Sequence, residues 1–483
     1  MRITAVNPPF IPGYSRGQRS PAVTKSGTLY YPIWLAYACC ALEKDGHEID
    51  LIDAPADGLD TEQTIERINR FDPGLVIVET STPSIESDVE FADSVAVDTR
   101  VVVLVGTHPS ALPCETLNMG ERFTAIVKGE YENPLTSLAD SIEKGKELRG
   151  VKGLYLRNSN GNAVFTGDAQ LMSDLDSLPY VSKVYARHLN IRMYNNPNAL
   201  YPQVMIMGGR GCPHRCTFCV FPQTLQGRKF RKRSVENITG EMLWVQNNMP
   251  DIRAVFFEDD TISVDRKRLR ELAESFIENG VSVSWTSNMR ADVDLETLRL
   301  CRKAGLRTVC VGFESGSNRI LANMKKGITA EMSAEFAENA KNAGILVHGC
   351  FMVGTRGENR ETMMETLALA LRLNIDTAQF YPMMVYPGTE AYSQAVDSNN
   401  LLAEGWRDWL TEEGLHSCVI KTDNLSSEEL VDFCDYARRR FYLRPAYIIR
   451  KLWKSHTDRD ERKRTFLAFS TFRKYLFRNS RRR

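Results

Sequence analysis

Short apolar runs alternate with amphipathic stretches over the first 145 residues of the chain. The apolar runs predict strands at residues 2–7, 48–54, 74–79, 100–106 and 123–129, and the stretches between them predict helices at residues 33–44, 61–71, 84–95 and 133–144. Apolar strands that alternate with helices are typical of a parallel sheet covered on both faces. The pattern therefore predicts an α/β fold with a doubly wound first domain over residues 1–145, whose ligands bind beyond the carboxyl ends of the strands.

The alternation resumes after a connector at residues 146–200, in which an Asn-Gly pair predicts a hairpin over residues 151–167. Strands are predicted at residues 203–207, 253–258, 281–287, 307–313, 345–353 and 376–384, with helices at residues 235–247, 266–279, 295–304, 330–343 and 361–373. Six such units are too many for a loose sheet and too few for an eightfold barrel. In barrels, functional residues lie where strands end and loops begin.

Three cysteines, Cys212, Cys216 and Cys219, follow the first of these strands in a C-x3-C-x2-C spacing. Three close thiolates can hold three irons of a cubane cluster and leave the fourth iron open, and an open position is what separates a catalytic metal site from a structural one. A zinc site with His214 as fourth ligand, or unligated core thiols, are the alternatives. Zinc sites usually add a second cysteine pair at a distance, which the sequence lacks, so the spacing favours a cluster.

Polar residues also follow the later strands of this half. They are Glu258, Asp259 and Asp260 after the second strand, Asn288 and Arg290 after the third, Glu314 and Ser315 after the fourth, and Gly354 after the fifth. The acidic trio could bind an amino group, or it could form a solvated turn. Arg290 suits a carboxylate because its guanidinium is permanently charged and bidentate, although a salt bridge to the next helix is the alternative.

The composition excludes several classes of protein. Lys plus Arg and Asp plus Glu number 61 each, so no overall charge indicates a nucleic-acid partner. Eleven cysteines without regular pairing indicate a reducing interior rather than a disulfide framework. The first residues lack the apolar core of a signal peptide, and no apolar run approaches the ~20 residues of a membrane span. We therefore expect a soluble, cytoplasmic protein.

The C-terminal region, residues 396–483, loses the strand rhythm and is expected to be helical. From Tyr436 onward it carries 17 Lys and Arg against three acids, a net charge of about +14, with interleaved aromatic residues. A basic, aromatic amphipathic helix is typical of peripheral contact with a membrane surface, here the inner membrane. A helical lid on the barrel is the alternative, and nucleic acid is unlikely because no RNA-binding module accompanies the charge.

The cysteine spacing, with the aromatic Phe218 directly before the third cysteine, resembles the signature of the radical S-adenosylmethionine (SAM) enzymes. The resemblance implies a partial (β/α)6 barrel over residues 201–395 and a [4Fe-4S] cluster on the three cysteines. It also implies that an electron from a flavodoxin or ferredoxin cleaves SAM to a 5′-deoxyadenosyl radical. It further implies SAM contacts at the acidic trio for the methionine amine, at Asn288, at Glu314 and Ser315, and at Gly354, where the family places the adenine.

The first domain resembles the Rossmann-like cobalamin-binding domain that precedes this barrel in many radical SAM proteins. The resemblance rests on an Asn-Pro-Pro start, a Gly-x-His-Pro loop and a Gly-Glu-x-Glu loop. It implies cobalamin contacts at Asn7, Pro8, Thr80, Ser81, Thr82, Gly106, Thr107, His108, Gly129 and Glu130. The D-x-H-x-x-G motif is absent, since its Gly would fall on Asp50 in the nearest match, so no histidine ligand to cobalt is expected. His108 is a wall of this pocket or an ordinary loop histidine.

Taken over the whole chain, the motifs resemble most the hopanoid-biosynthesis-associated radical SAM proteins and, more distantly, the anaerobic magnesium-protoporphyrin ester cyclase. The resemblance implies an enzyme that functionalises an unactivated carbon by methylation, cyclisation or ring rearrangement, on a hydrophobic or lipid-type substrate. The alternative from another class is a non-catalytic iron–sulfur or zinc module that serves binding or electron transfer.

Overall fold

The computed structural model describes residues 1–457, 460–462 and 465–466. Its strands are β1 (Arg2–Asn7), β2 (Tyr14–Ser15), β3 (Ala22–Val23), β4 (Glu48–Asp53), β5 (Leu75–Thr80), β6 (Val101–Gly106), β7 (Ala125–Val127), β8 (Leu154–Arg157), β9 (Ala163–Phe165), β10 (Gln203–Ile206), β11 (Gly209–Arg210), β12 (Arg231–Lys232), β13 (Ala254–Phe257), β14 (Ser284–Met289), β15 (Leu306–Glu314), β16 (Leu346–Val353) and β17 (Thr377–Pro382).

Its helices are α1 (Ile33–Lys44), α2 (Ala54–Asp57), α3 (Thr61–Phe71), α4 (Ile85–Val95), α5 (Thr107–Ala111), α6 (Pro113–Met119), α7 (Glu132–Glu143), α8 (Val181–His188), α9 (Val220–Thr224), α10 (Val235–Asn248), α11 (Arg266–Glu278), α12 (Leu295–Lys303), α13 (Asn318–Asn323), α14 (Ala330–Asn342), α15 (Arg360–Leu373), α16 (Glu390–Asp397), α17 (Ser427–Tyr442) and α18 (Pro445–Thr457).

The first sheet has the strand order β4-β1-β5-β6-β7-β8-β9 and is parallel from β4 to β7. Strand β5 is buried at all six positions, which explains its uninterrupted apolar run, because both faces of the sheet are covered by helices. The predicted doubly wound domain is confirmed. The predicted hairpin forms as β8 and β9, but it extends this sheet by antiparallel pairing with β7. The domain limits themselves stay a prediction.

The second sheet has the order β10-β13-β14-β15-β16-β17, and all its neighbouring strands are parallel. Helices α10, α11, α12, α14 and α15 connect successive strands, so the predicted six-unit partial barrel is confirmed. Because the strands are parallel, their carboxyl ends, with the polar residues singled out from sequence, open on one mouth.

The C-terminal region is helical, as predicted, and α17 covers the edge strand β17. The hydroxyl of Tyr442 accepts the N–H of Ala378 at 2.9 Å and donates to the carbonyl of the same residue at 2.7 Å. These bonds satisfy backbone groups that an uncovered edge would leave open. Residues 458–459, 463–464 and 467–483, which carry much of the predicted basic tail, lie outside the described residues. None of the described helices has the length and apolar run that a membrane crossing needs.

Residues 8–32, which we call the strap, join β1 to α1 and run across the mouth between the two sheets. The strap contains the short β2–β3 pair and no helix. It is fixed to the first domain by the buried ion pair of Arg16 with Asp88 at 2.6 Å, and by a hydrogen bond between the hydroxyls of Tyr14 and Ser81 at 2.7 Å. The alternating pattern of the sequence predicts nothing in this segment.

Candidate functional site

The cysteine loop connects β10 to α9 at the mouth of the barrel. Gly211, at φ +82°, is required there because a side chain would meet the carbonyl oxygen of Lys229 at 2.3 Å. Cys212 and Cys216 are buried, and Cys219 precedes the first turn of α9. Burial raises the pKa of Cys219, and the charges of the other two cysteines add to this rise, so the three thiols lie within electrostatic reach of one another.

The acidic trio after β13 is buried and faces the strap. Arg19 of the strap hydrogen-bonds to the carboxylate of Glu258, and its Nη2 lies 3.3 Å from Oδ1 of Asp260. Burial raises the pKa of both carboxyls, and the positive charge of Arg19 opposes that rise. Asp259 is turned away from Arg19 and accepts the N–H of Gly208 at 2.8 Å. The trio therefore divides into two carboxylates paired with the strap and one that holds the start of the cysteine loop.

Glu314 ends β15 in an unusual backbone conformation. Its φ of +63° is rare outside glycine, and the register of β15 against β16 shifts at this point. Its carboxylate accepts Nζ of Lys326 at 2.8 Å, and both side chains are almost fully buried. The ammonium group of Lys326 also lies 5.8 Å from the ring centre of Phe218 in the cysteine loop. The fourth strand is thus joined to the cysteine loop through Lys326, which sequence reasoning did not single out as a site residue.

The remaining residues predicted from the resemblance as SAM contacts lie around the same mouth. Asn288 donates to the carbonyl of Asp259 at 3.0 Å, and Ser315 holds the turn after β15 through its bond to Thr366 at 3.1 Å. The N–H of Gly354 is bound by Glu358 at 2.7 Å. These contacts shape the loops, and the roles of the residues toward SAM stay predictions.

Arg290 lies against groups of the chain itself, and its expected contact with a carboxylate of a ligand stays a prediction. Its Nη2 donates to the carbonyl of Lys326 at 2.6 Å, and its Nε lies 3.7 Å from Asp292. This arrangement is close to the salt-bridge alternative and fixes the chain beside the Glu314–Lys326 pair.

Two further thiols lie on strands of the barrel. Cys310 on β15 and Cys350 on β16 are only half-buried, as are the phenols of Tyr30 and Tyr381. Even so, burial raises the pKa of Cys350 to about 12, and it also raises the pKa of both phenols. These phenols and thiols lie beside charged groups of the mouth, since Glu314 is within hydrogen-bonding reach of Tyr381 and the charges of Glu258 and Arg19 act on Tyr30.

A second space, a narrow cavity of about 10 Å³, lies between the two domains. It is bounded by the strap, the ends of β5 and β6, the start of α1 and the helix that follows the cysteines. Its lining residues are Arg16, Gln18, Arg19, Pro21, Trp34, Glu79, Thr80, Gly106, Thr107, Tyr131, Val220, Phe221, Leu225 and Tyr386. Val220 and Phe221 directly follow the third cysteine, so the cavity connects the strand ends of the first domain with the cysteine loop.

Three of the predicted cobalamin contacts line this cavity, namely Thr80, Gly106 and Thr107. Gly106 packs so closely that a side chain would meet the carbonyl oxygen of Thr80 at 2.4 Å. Gly129, at φ +82°, adjoins this edge and donates its N–H to Ser110 at 2.9 Å.

The other predicted contacts are held by the strap and by the C-terminal region. Asn7 bonds to Asp53 and Arg16 at 2.7 Å each, the carbonyl of Pro8 accepts from Arg16 at 2.5 Å, and Ser81 bonds to Ser84 at 2.7 Å. The strap thus covers the loops on which the resemblance places the cofactor.

His108 is enclosed on the same side. Its Nδ1 lies 3.2 Å from Oγ1 of Thr82, and its ring stands edge-on to Trp406 at 4.7 Å. Burial lowers the pKa of His108 to about 3, so the imidazole is neutral.

Glu130 belongs to a buried ion network that joins the two domains. Its carboxylate pairs with Arg210 at 2.7 Å and with Arg231 at 2.8 Å, and Arg210 also pairs with Glu132 at 2.6 Å. Burial alone would raise the pKa of Glu130, but the two guanidinium groups hold it below its ordinary value. Because Arg210 lies two residues before the first cysteine, this network positions the cysteine loop against the first domain.

The cysteine loop and the acidic trio fit the cluster and the SAM that the motifs imply. Three thiols on one loop are the soft donor set of an iron–sulfur cluster. Buried oxygens of Asp259 and Asp260 lack partners among the described residues, as a bound amino group would require. The cavity between the domains has room for about one water molecule, so the loops that close it, the strap among them, would have to move apart to admit a corrinoid.

Comparisons with known proteins agree with this geometry. A family model described as the radical SAM superfamily matches residues 206–370, and one described as the B12 binding domain matches residues 19–139. The chain is 31% identical to an uncharacterized methyltransferase of Pyrococcus horikoshii, over 89% of this chain and 92% of that protein. It is 26% identical to the anaerobic magnesium-protoporphyrin IX monomethyl ester cyclase of Rubrivivax gelatinosus, over 92% of this chain and 79% of the cyclase.

Among solved structures, the cobalamin-dependent SAM radical enzyme OxsB, solved with aqua-cobalamin and SAM bound, shares the fold. Its TM-score is 0.72 at 16% identity, with coverage of 99% of this chain and 74% of OxsB. The expected similarity to the cyclase is confirmed, and the expected closeness to hopanoid-associated proteins stays a prediction.

Proposed function

The chain belongs to the radical SAM enzymes that carry an N-terminal B12-binding domain, and we propose that it functionalises an unactivated carbon of a hydrophobic, lipid-type substrate, by methyl transfer. Its cofactors are a [4Fe-4S] cluster, SAM and cobalamin. The observation that carries the proposal is the cavity at which the residues following the cysteines meet the strand ends of the first domain. Two cofactor modules that open on one space can act on one substrate.

The roles of the chain's residues follow from their positions. Cys212, Cys216 and Cys219 would hold the cluster, and Glu258 and Asp260 would receive the SAM amino group in place of Arg19. When bound, these cofactors supply the one-electron cleavage of SAM and a transferable methyl group. The described part of the barrel contributes phenols such as Tyr381, whose pKa burial raises, so that it stays neutral and can donate a hydrogen bond.

The choice of methyl transfer and of a hydrophobic substrate rests on two supports. The relatives named above are a methyltransferase and a cyclase that acts on a porphyrin ester. The half-buried phenols and thiols inside the barrel offer little to a charged substrate. A flavodoxin or ferredoxin would supply the electron.

The test uses the full chain, reconstituted anaerobically with iron, sulfide and cobalamin, together with SAM labelled in its methyl group and a strong reductant. Two extracts prepared from one batch of cells, one lipid and one polar, are offered as substrates. We expect label in the lipid fraction, with both S-adenosylhomocysteine and 5′-deoxyadenosine formed, and none with Cys216→Ala. Label in the polar fraction alone would refute the substrate class, and 5′-deoxyadenosine without S-adenosylhomocysteine would refute methyl transfer. Zinc without iron or sulfide would support the non-catalytic alternative.

We further propose that α18 contacts a membrane surface, which suits a lipid substrate. Ile449, Leu452 and Trp453 on this helix are 67%, 64% and 71% exposed, so they form an apolar stripe. The nearby Lys454 pairs with Asp376 at 2.8 Å, which fixes the helix against the barrel. We expect the chain to sediment with anionic vesicles and the double variant Leu452→Ser, Trp453→Ser to remain in solution. Equal sedimentation of both would contradict this proposal.

A further inference from the structure

The cysteine loop reaches the protein surface in the short segment between its first two cysteines. Cys212 and Cys216 are buried, whereas Pro213 and Arg215 between them are exposed. The chain turns inward again at Thr217, which is buried and whose N–H donates to the carbonyl of the residue that follows α13, at 3.1 Å. This segment is therefore the part of the loop that a protein partner can touch.

A second segment, residues 227–229, lies against the first and adds two cations to it. The N–H of Cys212 donates to the first carbonyl of this segment at 3.3 Å, and the guanidinium of Arg228 donates to the carbonyl of His214. Arg228 is half-buried and Lys229 is exposed. Both cations are therefore fixed beside the exposed part of the cysteine loop.

Arg215, Arg228 and Lys229 form a basic patch whose charges are not compensated by ion pairs. None of the three forms a salt bridge with a residue that the structure describes, whereas the adjacent Arg231 and Lys232 pair with carboxylates at 2.8 and 2.9 Å. Cations that no carboxylate neutralises leave a positive potential at the surface, and such a potential steers an oppositely charged partner toward it. The basic patch therefore suits an acidic partner.

The environment of His214, in the exposed segment, agrees with this positive potential. Burial lowers the pKa of His214, and the charges of Arg290 and Lys326 lower it further, although Asp292 opposes them. Cations of the barrel thus act on this segment from one side, and the basic patch borders it on the other.

We propose that the basic patch is the docking site of an acidic protein that carries one electron at low potential. Electron transfer slows steeply with distance, so the carrier must dock where the cysteine loop reaches the surface. Complexes between redox proteins are small and weak, and complementary charges suffice to steer and orient them. In the step itself the carrier loses one electron and the cluster gains it, with no bond made or broken. The inference rests on the proposed function and names the surface through which its electron enters.

The binding test measures the affinity of the reconstituted full chain for a flavodoxin, an acidic one-electron carrier, by calorimetry at low and at high salt. The double variant Arg215→Glu, Lys229→Glu should bind about 10-fold more weakly at low salt. The difference should shrink at high salt, because salt screens exposed charges. The matched control is Arg299→Glu, Lys303→Glu on α12, which changes the net charge equally at two exposed residues. Its affinity should equal that of the wild type.

A second measurement follows the cluster itself, through the rate at which its visible absorbance is bleached in a stopped-flow instrument. With reduced flavodoxin below its dissociation constant, the rate should fall about 10-fold in the patch variant and stay unchanged in the control. Dithionite, a small reductant that needs no docking site, should bleach all three proteins at one rate. Circular dichroism and iron content show whether each protein is folded and carries its cluster. If the double variant loses its cluster, Lys229→Glu alone, which lies outside the cysteine loop, should still weaken binding about 3-fold.

The outcomes distinguish the two proposals. If flavodoxin binds and reduces the patch variant as it does the wild type, or does not bind the wild type at all, the inference is overturned. The proposed function then still stands, provided that dithionite supports the formation of 5′-deoxyadenosine. If the wild type, with an intact cluster and the lipid extract present, forms no 5′-deoxyadenosine with dithionite, the proposed function itself is wrong.

Discussion

Replacing Arg210 with Met tests whether the buried ion network positions the cysteine loop. Arg210 is 1% exposed, and its two partners, Glu130 and Glu132, are 4% and 1% exposed at their side chains. In Arg210→Met, Glu130 keeps its contact with Arg231. Glu132 loses the one salt bridge that it forms within the described residues, and its second oxygen is already without a partner there. The variant therefore leaves a buried carboxylate uncompensated.

The expected cost follows from that unpaired charge. Removing one partner of a buried ion pair costs about 3–5 kcal/mol of the free energy of unfolding, because the remaining charge is desolvated without compensation. Glu132→Gln in the Arg210→Met background removes that charge. The double variant should therefore be about 2 kcal/mol more stable than the sum of the two single changes predicts. The matched control is Arg192→Met, because Arg192 and Asp251 form an exposed pair at 64% and 62%. This control should cost about 0–1 kcal/mol.

The assay is urea unfolding of the cluster-free protein under reducing conditions, followed by circular dichroism, with iron content after reconstitution as the second measurement. Because Arg210 lies two residues before Cys212, iron content should fall in Arg210→Met and recover in part in the double variant. Strict additivity of the two single changes, or a cost no larger than that of the control, would refute the reasoning.

Three further predictions concern charges around the two spaces. Arg19→Gln removes the cation that pairs with the carboxylate of Glu258. SAM should then bind about 10-fold more tightly, as measured by calorimetry. Weaker binding would mean that Arg19 itself contacts SAM. Lys326→Met leaves Glu314 buried and unpaired and should cost about 3–5 kcal/mol of unfolding free energy, whereas Lys326→Arg should cost much less. Burial raises the pKa of Asp53 to about 6. Between about pH 4 and about pH 6 the folded state therefore holds a proton that the unfolded state releases. The free energy of unfolding should fall by about 3 kcal/mol as the pH rises through this range. Asp53→Asn should remove this share of the pH slope of unfolding free energy, about 3 kcal/mol, while Asp259, whose pKa burial also raises to about 6, keeps its own share.

The sheets and helices could be predicted because each is encoded locally. Strand β5 is buried on both faces and therefore reads as an unbroken apolar run. Helix α15 begins at a capping box of Asn359 and Thr362, and α3 begins at one of Asp60 and Gln63. Such signals need only neighbouring residues, and the predicted ends of these elements differ from the observed ones by a few residues at most.

The strap and its contacts could not be predicted in this way. Arg19 meets the acidic trio across 239 residues of sequence, and Lys326 meets Glu314 across a turn that no periodicity marks. Three residues of the cavity lining, Trp34, Glu79 and Tyr131, come from α1, from β5 and from the position just before α7. A lone Trp, Glu or Tyr in an apolar run looks like a core residue, and only the fold brings these three to one wall.

The strap contacts both the acidic trio proposed to bind SAM and the cavity proposed to bind cobalamin. Arg19 pairs with the carboxylates proposed for SAM and, together with Gln18 and Pro21, lines the cavity proposed for cobalamin. Ser20 between them bonds to the hydroxyl of Tyr386 at 3.0 Å and to Nε2 of His416 at 2.9 Å. A ligand group that replaces Arg19 at these carboxylates therefore displaces a side chain of the strap, and the strap also lines the cavity between the domains. Because coupling between the affinities of two ligands is reciprocal, a strap movement by which SAM favoured the binding of a corrinoid would let the corrinoid favour the binding of SAM by the same factor.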